Sequence, residues 1–169
     1  LLPGLDAPLL PELLALRHDA ARAVARVHPA TTRAWGGPAE HGVRTLDLFS
    51  EMPFHPGRLR ELVEDLAGRG MLARGCFWLP SRPGRVCTWE VAGGAVSVGD
   101  AGPWTESPDD PDGPDGPRCH LVVTGVADDD ACERVRAAFG SILLRADELA
   151  EALAWAGAPD GLEDWLGRG

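Results

Sequence analysis

The stretch EMPFHPGRLRELVEDL, residues 51–66, changes period partway along its length. Up to Phe54 there is no helical repeat, whereas Leu59, Leu62, Val63 and Leu66 recur at three- and four-residue spacing and put one apolar stripe on a helix. Pro53 and Pro56 mark the change. A proline suits the first helical turn, where its missing N–H removes no hydrogen bond, and the residue before it is biased to extended backbone. His55 is therefore expected at the helix entrance in a structural role. Gly68 and Gly70 end the helix at about residue 67.

Working outward, VRTLDLF (43–49) precedes the helix as a short strand, and MLARGCFWL (71–79) follows it as another. SRPG turns the chain into RVCTWEVA (85–92), where Cys87, Trp89 and Val91 share one face and Val86, Thr88 and Glu90 the other. Gly93 and Gly94 then turn it into AVSVG, which completes a three-stranded meander. CHLVVTGV is a further strand. ADDDACERVRAAFGSILL opens with acids suited to a helix N-terminus and carries Cys132, Val135, Phe139 and Ile142 on one stripe. ADELAEALAWAG adds a last helix. The core order is β-α-β-β-β-β-α, an α+β two-layer sandwich with a mostly antiparallel or mixed sheet and its helices on one face.

Flanking segments read differently. From Pro11 to about residue 27, Leu13, Leu16, Ala20, Val24 and Val27 recur at helical spacing, so an N-terminal helix is expected. HPATTRAWGGPAEHG (28–42) is punctuated by Pro and Gly and reads as a linker. The acidic run SPDDPDGPDGP (107–117) has too little apolar surface to fold and is expected to form a mobile loop over 106–117. Residues 156–169 read as a tail. The chain opens on Leu1, which suggests a fragment of something longer.

Composition narrows the function. At 169 residues and 44% hydrophobic content the chain can bury a real core. Its net charge of −10 and pI near 4.8 argue against a nucleic-acid partner, which needs clustered basic residues. All sixteen basic residues are Arg, and Lys, Asn, Gln and Tyr are absent, a pattern that first suggests GC-rich coding. The consequence is chemical, because a P-loop reaches the β and γ phosphates through a lysine. No standard P-loop can be written here. There is neither an apolar run long enough to span a membrane nor a signal segment, so no membrane partner and a cytoplasmic location are expected.

Four cysteines, Cys76, Cys87, Cys119 and Cys132, are expected as free thiols in so core-rich a chain. Structural zinc needs four ligands, usually as two short-spaced pairs, and none occurs. Cys119 and His120 are the candidate metal ligands, but as strand neighbours they should face opposite ways. No G-x-S-x-G elbow or His–carboxylate spacing marks a catalytic centre. No catalytic or cofactor-binding residue is assigned.

Five blocks in order, PFHPGRL (53–59), ARGCFWLPSRP (73–83), AGPW (101–104), RCHLVVTG (118–125) and FGSILLRADEL (139–149), resemble successive blocks of the C-terminal domain of CobW-like proteins. These are GTPases of the family that includes metallochaperones for urease and hydrogenase. The family pattern runs R-P-F-H-P-x-R-L, R-x-K-G-F-x-W-L, R-R-Q-E-L-V-F-I-G and C-L-L-T. Here Met52 and Leu72 replace the two leading arginines of the first two blocks, Arg74 the lysine, and Ile142 and Arg145 the final Cys and Thr, while Cys119 and His120 stand near the Gln-Glu pair.

The resemblance implies that residues 1–41 are the end of, or connector from, a GTPase domain, and that 42–155 are the CobW-like C-terminal domain. It also implies that GTP, Mg and Zn are cofactors of a full-length protein, with none of them expected in this chain. The expected function is a docking or regulatory domain of a GTP-dependent zinc or cobalt metallochaperone. Its partners would be the N-terminal GTPase domain and a metal-receiving client protein, met through the sheet face or through the helix face bearing Arg58 and Arg60, beside His55. The alternative is an autonomous metal-binding or metal-sensing module using Cys119, His120 and the acidic loop.

Overall fold

A computed structural model describes residues 27–34, 40–104 and 116–167. The N-terminal helix expected from Pro11, apart from Val27, and most of the acidic loop lie outside the described residues.

Five strands form one sheet: β1 (Val43–Ser50), β2 (Leu72–Phe77), β3 (Arg85–Ala92), β4 (Ala95–Pro103) and β5 (Cys119–Val126). Their spatial order is β1-β5-β2-β3-β4 and every ladder is antiparallel. Helix α1 (Pro56–Ala67) connects β1 to β2, and α2 (Asp129–Ile142) follows β5. Because β5 runs antiparallel to both β1 and β2, those two strands are parallel to each other but never pair. The β1-α1-β2 step is thus a split β-α-β unit with β5 inserted. This insertion accounts for a sheet that is wholly antiparallel despite a helical crossover.

Gly75 makes the insertion possible. A Cβ built there would lie 1.9 Å from the His120 carbonyl oxygen, so any side chain would force β2 and β5 apart. Alternation then decides the faces. Leu46 and Leu48 of β1, Leu121 and Val123 of β5, Ala73 and Phe77 of β2, and Trp89 and Val91 of β3 are buried under the helices. Leu59 and Leu66 of α1 and Val135, Phe139 and Ile142 of α2 close the same core. Phe54 stacks on Phe77 at 5.2 Å and meets the Phe139 ring edge-on at 5.5 Å. Each fully buried side chain of this size contributes about 1.5–3 kcal/mol.

Helices α3 (Ala146–Ala152) and α4 (Glu163–Leu166) complete the described fold. The second of these falls where a tail was expected, and the expectation needs correcting. Leu162 is 1% exposed and Leu166 7%, both within the main core. The Arg82 guanidinium meets the Asp160 carboxylate at 3.1 Å, with the two side chains only 5% and 2% exposed. Residues 160–167 are a docked strap. The turn residues Gly157, Pro159 and Gly161 conceal it in the sequence, since too little chain lies between them to show a period.

Candidate docking face

His55 takes the place expected of it. Its backbone is extended, Pro56 follows as the first helical residue, and its Nδ1 accepts the amide N–H groups of Gly57 (3.1 Å) and Arg58 (3.3 Å). An imidazole nitrogen thus does what Ser or Asp does at most helix starts. Accepting at Nδ1 requires a neutral ring. Burial and the neighbouring Arg58 charge push the imidazole below its ordinary value, outweighing the pull of Glu148. The His55 ring also meets Trp155 edge-on at 5.5 Å.

Arg58 is turned inward. It donates to the carbonyls of Ser141 (3.2 Å) and Leu143 (3.0 Å) at the end of α2 and to Glu148 Oε2 at 2.6 Å. A cation over a helix C-terminus is favourable, and here it ties α1, α2 and α3 together. Arg60 is exposed and lies against Gly161 of the strap. The three interaction candidates are therefore gathered on the helix side, two of them occupied in holding the helices and the third beside the strap.

Cys119 and His120 point to opposite faces of β5, as the alternation requires. Cys119 is fully buried in the helix-side core, and burial drives its thiol well above the ordinary range. His120 Nε2 lies 2.6 Å from Asp47 Oδ1 across the β1–β5 ladder on the other face. Cys76 and Cys87 are likewise raised by burial, to about 11 and about 12, and all four cysteines are free. Among the described residues no group of three or more His, Cys, Asp or Glu is placed to hold a metal ion.

The sequence reading named the sheet face as a candidate contact surface but not the residues on it. Register puts Phe49 opposite His120, Asp47 opposite Val122 and Thr45 opposite Thr124, with Leu72 flanking Thr124 from β2. One end of this face is sealed: Ala30, from the turn Pro29–Thr31, packs on Cys76 and Val86, and Arg118 Nη2 donates to the Ala30 carbonyl at 2.8 Å. The rest is open. Phe49 is 47% exposed, Leu72 59% and Val126 72%. A groove of about 360 Å3 beside Leu72 is lined by Thr31, Thr32, Arg33, Arg74, Val122 and Thr124. The signal was available in CHLVVTGV, where Cys119, Leu121 and Val123 form one apolar parity while His120, Val122, Thr124 and Val126 mix polar with apolar residues on the other.

A sheet clad by helices on one face, with Phe49, Leu72 and Val126 exposed on the other, defines an α+β domain. The chain matches the model of the cobalamin synthesis protein cobW C-terminal domain over residues 43–143, and it belongs to that family. Over 66 residues it is 38% identical to a zinc chaperone of Mycobacterium tuberculosis, covering 39% of this chain and 17% of that protein. An uncharacterized protein of Mycobacterium bovis matches to the same extent. The chain thus spans less than a fifth of the curated relatives it matches. Among solved structures, the Zn(II)-bound YjiA GTPase from E. coli has a similar fold, with a TM-score of 0.50 and 16% identity over 68% of this chain and 35% of that one. No helix among the described residues is long and apolar enough to cross a membrane.

Proposed function

We propose that this domain is the docking and regulatory module of a GTP-dependent zinc or cobalt metallochaperone, and that its open sheet face receives the GTPase domain. The observation that carries the reading is the exposure of three large apolar side chains, Phe49, Leu72 and Val126, on the second sheet face of a family domain whose helix side is already knitted together by Arg58. Membership of the cobW C-terminal family supports a GTPase partner, and the zinc named in relatives supports that metal as cargo. The residues present do not fit GTP and Mg, since the chain has no lysine for a P-loop. Nucleotide chemistry therefore belongs to the partner, and nucleotide state acts on the contact between the two.

Titration calorimetry of a cobW-type GTPase domain into the chain tests this. Leu72→Asp and Val126→Asp should each weaken binding at least about tenfold, as loss of a central apolar anchor does, while Arg60→Ala changes it by less than about threefold. Tight GTP binding by this chain alone would overturn the reading.

A further inference from the structure

The groove beside Leu72 has no carboxylate among its described lining residues, in a chain whose net charge is −10. Arg33 and Arg74 bring guanidinium groups to it, and Thr31, Thr32 and Thr124 bring hydroxyls. Its volume of about 360 Å3 lies at the lower end of the range for small-molecule sites. One wall is the sheet, where register sets Arg74 of β2 against Val122 of β5 and Leu72 against Thr124. The other wall is the chain that leaves the turn Pro29–Thr31, which Ala30 pins to the same face.

Two buried polar atoms of this lining, Thr32 Oγ1 and Arg74 Nε, have no hydrogen-bond partner among the described residues. Its other hydroxyls differ: Thr31 Oγ1 donates to the His28 carbonyl at 2.9 Å, and the Thr124 hydroxyl meets that of Thr45 at 3.1 Å. Arg74 donates from Nη2 to the Val27 carbonyl, while Glu90 Oε1 stands 3.7 Å from Nε, beyond hydrogen-bond reach. Buried donors are ordinarily answered, so an unmatched N–H and O–H in the wall of one groove call for an acceptor. The local field has the same sign. Burial is the main cause that lowers the His28 imidazole, and the Arg118 and Arg74 charges add to it, against the raising effect of a hydrogen bond to the Ala101 backbone.

We propose that this groove is an oxyanion site for a small organic acid, a carboxylate or a phosphate monoester, with Arg74 supplying the charge and Thr32 a hydrogen bond. Guanidinium and hydroxyl groups suit such oxygens, because charge-assisted hydrogen bonds are about twice as strong as neutral ones. Glu90 is the internal competitor for Arg74 in the free protein. The ligand turns the half-exposed Arg74 side chain from that carboxylate towards the groove, and rotation of the Thr32 side chain brings its hydroxyl to the surface. More distant acids are screened over about 8 Å at physiological salt, so the nearby cations decide. The inference stands apart from the docking reading, since it assigns a small ligand to this part of the face.

Amide NMR titration of the full chain with inorganic phosphate and, separately, with succinate tests the site. The Thr32, Arg74 and Thr124 resonances should shift along a saturable curve with a Kd of about 1 mM or tighter. Saturation by phosphate alone assigns a phosphate monoester as ligand, and by succinate alone a carboxylic acid; both support the proposal. Arg74→Gln should weaken binding at least about tenfold and Thr32→Val about threefold or more, each verified as folded by circular dichroism and thermal midpoint. Glu90→Gln should tighten it about two- to fivefold, a gain that a merely structural role for Arg74 does not produce. Arg136→Gln, which removes a cation paired with Glu133 on α2, should leave it unchanged. Saturation by neither anion, equal affinity in Arg74→Gln and wild type, or weaker binding in Glu90→Gln overturns the proposal.

Discussion

Asp160→Ala should cost this domain far more than a change in a terminal segment normally does. Asp160 accepts from Ser81 Oγ at 2.6 Å, from Arg82 Nε at 3.1 Å and from the Leu162 amide at 2.9 Å. Removing it leaves the Arg82 guanidinium buried with only the Leu166 and Gly167 carbonyls, at 3.3 and 3.2 Å, to answer its charge. Breaking one side of a buried pair costs about 3–5 kcal/mol. The strap sets a ceiling on that figure. Leu162 and Leu166 together contribute about 3–6 kcal/mol of apolar burial before the entropy of ordering the strap is subtracted. A larger penalty would be relieved by undocking residues 160–167 and letting Arg82 reach water. Thermal denaturation should therefore show a midpoint about 6–20 °C lower, at about 2–4 °C per kcal/mol for a domain of this size.

The acid limb offers an independent check. Burial raises the Asp160 carboxyl, but the Ser81, Leu162 and Arg82 hydrogen bonds outweigh it and hold the group below its ordinary value. A carboxylate depressed in the folded state stabilises above its unfolded value and loses that contribution as pH falls through the folded one. Asp160→Asn should accordingly flatten the loss of stability below about pH 4. An Asp160→Ala midpoint within about 1 °C of the wild type would refute the reasoning and return the segment to the status of a tail.

His55→Ala should cost about 1 kcal/mol by urea titration at pH 8 through loss of the cap, and less at pH 5. A histidine depressed in the folded state stabilises above its unfolded value, near 6.5, and that contribution is lost as pH falls below it. Because burial lowers His28 as well, the difference between wild type and variant, not either profile alone, reports His55. Gly75→Ala, with its Cβ 1.9 Å from backbone, should destabilise by more than about 4 kcal/mol or prevent folding, seen as loss of a cooperative melt. In a zinc titration against a chromogenic chelator, Cys119→Ala and His120→Ala should match the wild type, since the two side chains lie on opposite faces. A stoichiometric site lost in either variant would restore the metal-module alternative.

The local steps of the fold were legible because each is written in neighbouring residues. The helix entrance at His55-Pro56, the β2-β3-β4 meander with its Gly93-Gly94 turn, and the acid-capped α2 all rest on spacing and turn chemistry. Asp128 caps α2 by accepting the Ala131 amide at 2.7 Å. The place of β5 between β1 and β2 was not legible, since it depends on pairing residues such as Leu48 with Leu121 that lie far apart in the chain. The same distance hid the strap, whose anchor Arg82 lies 78 residues before Asp160. At the candidate site, the residue types drew attention to Arg58, Arg60, Cys119 and His120, while Phe49, Leu72 and Val126, exposed on the same face as His120, are residue types that carry no such signal. A period-two pattern shows which residues share a face, but not which face the helices leave bare.

Position-specific photo-crosslinking tests the central claim, that the open sheet face receives a GTPase domain. Leu72→benzoylphenylalanine places the probe on that face, and Leu153→benzoylphenylalanine places it on the helix side, at a residue also 53% exposed. With saturating cobW-type GTPase domain, cross-links should form from position 72 and not from position 153. Cross-links from 153 alone, or from neither position while calorimetry reports binding, would contradict the account.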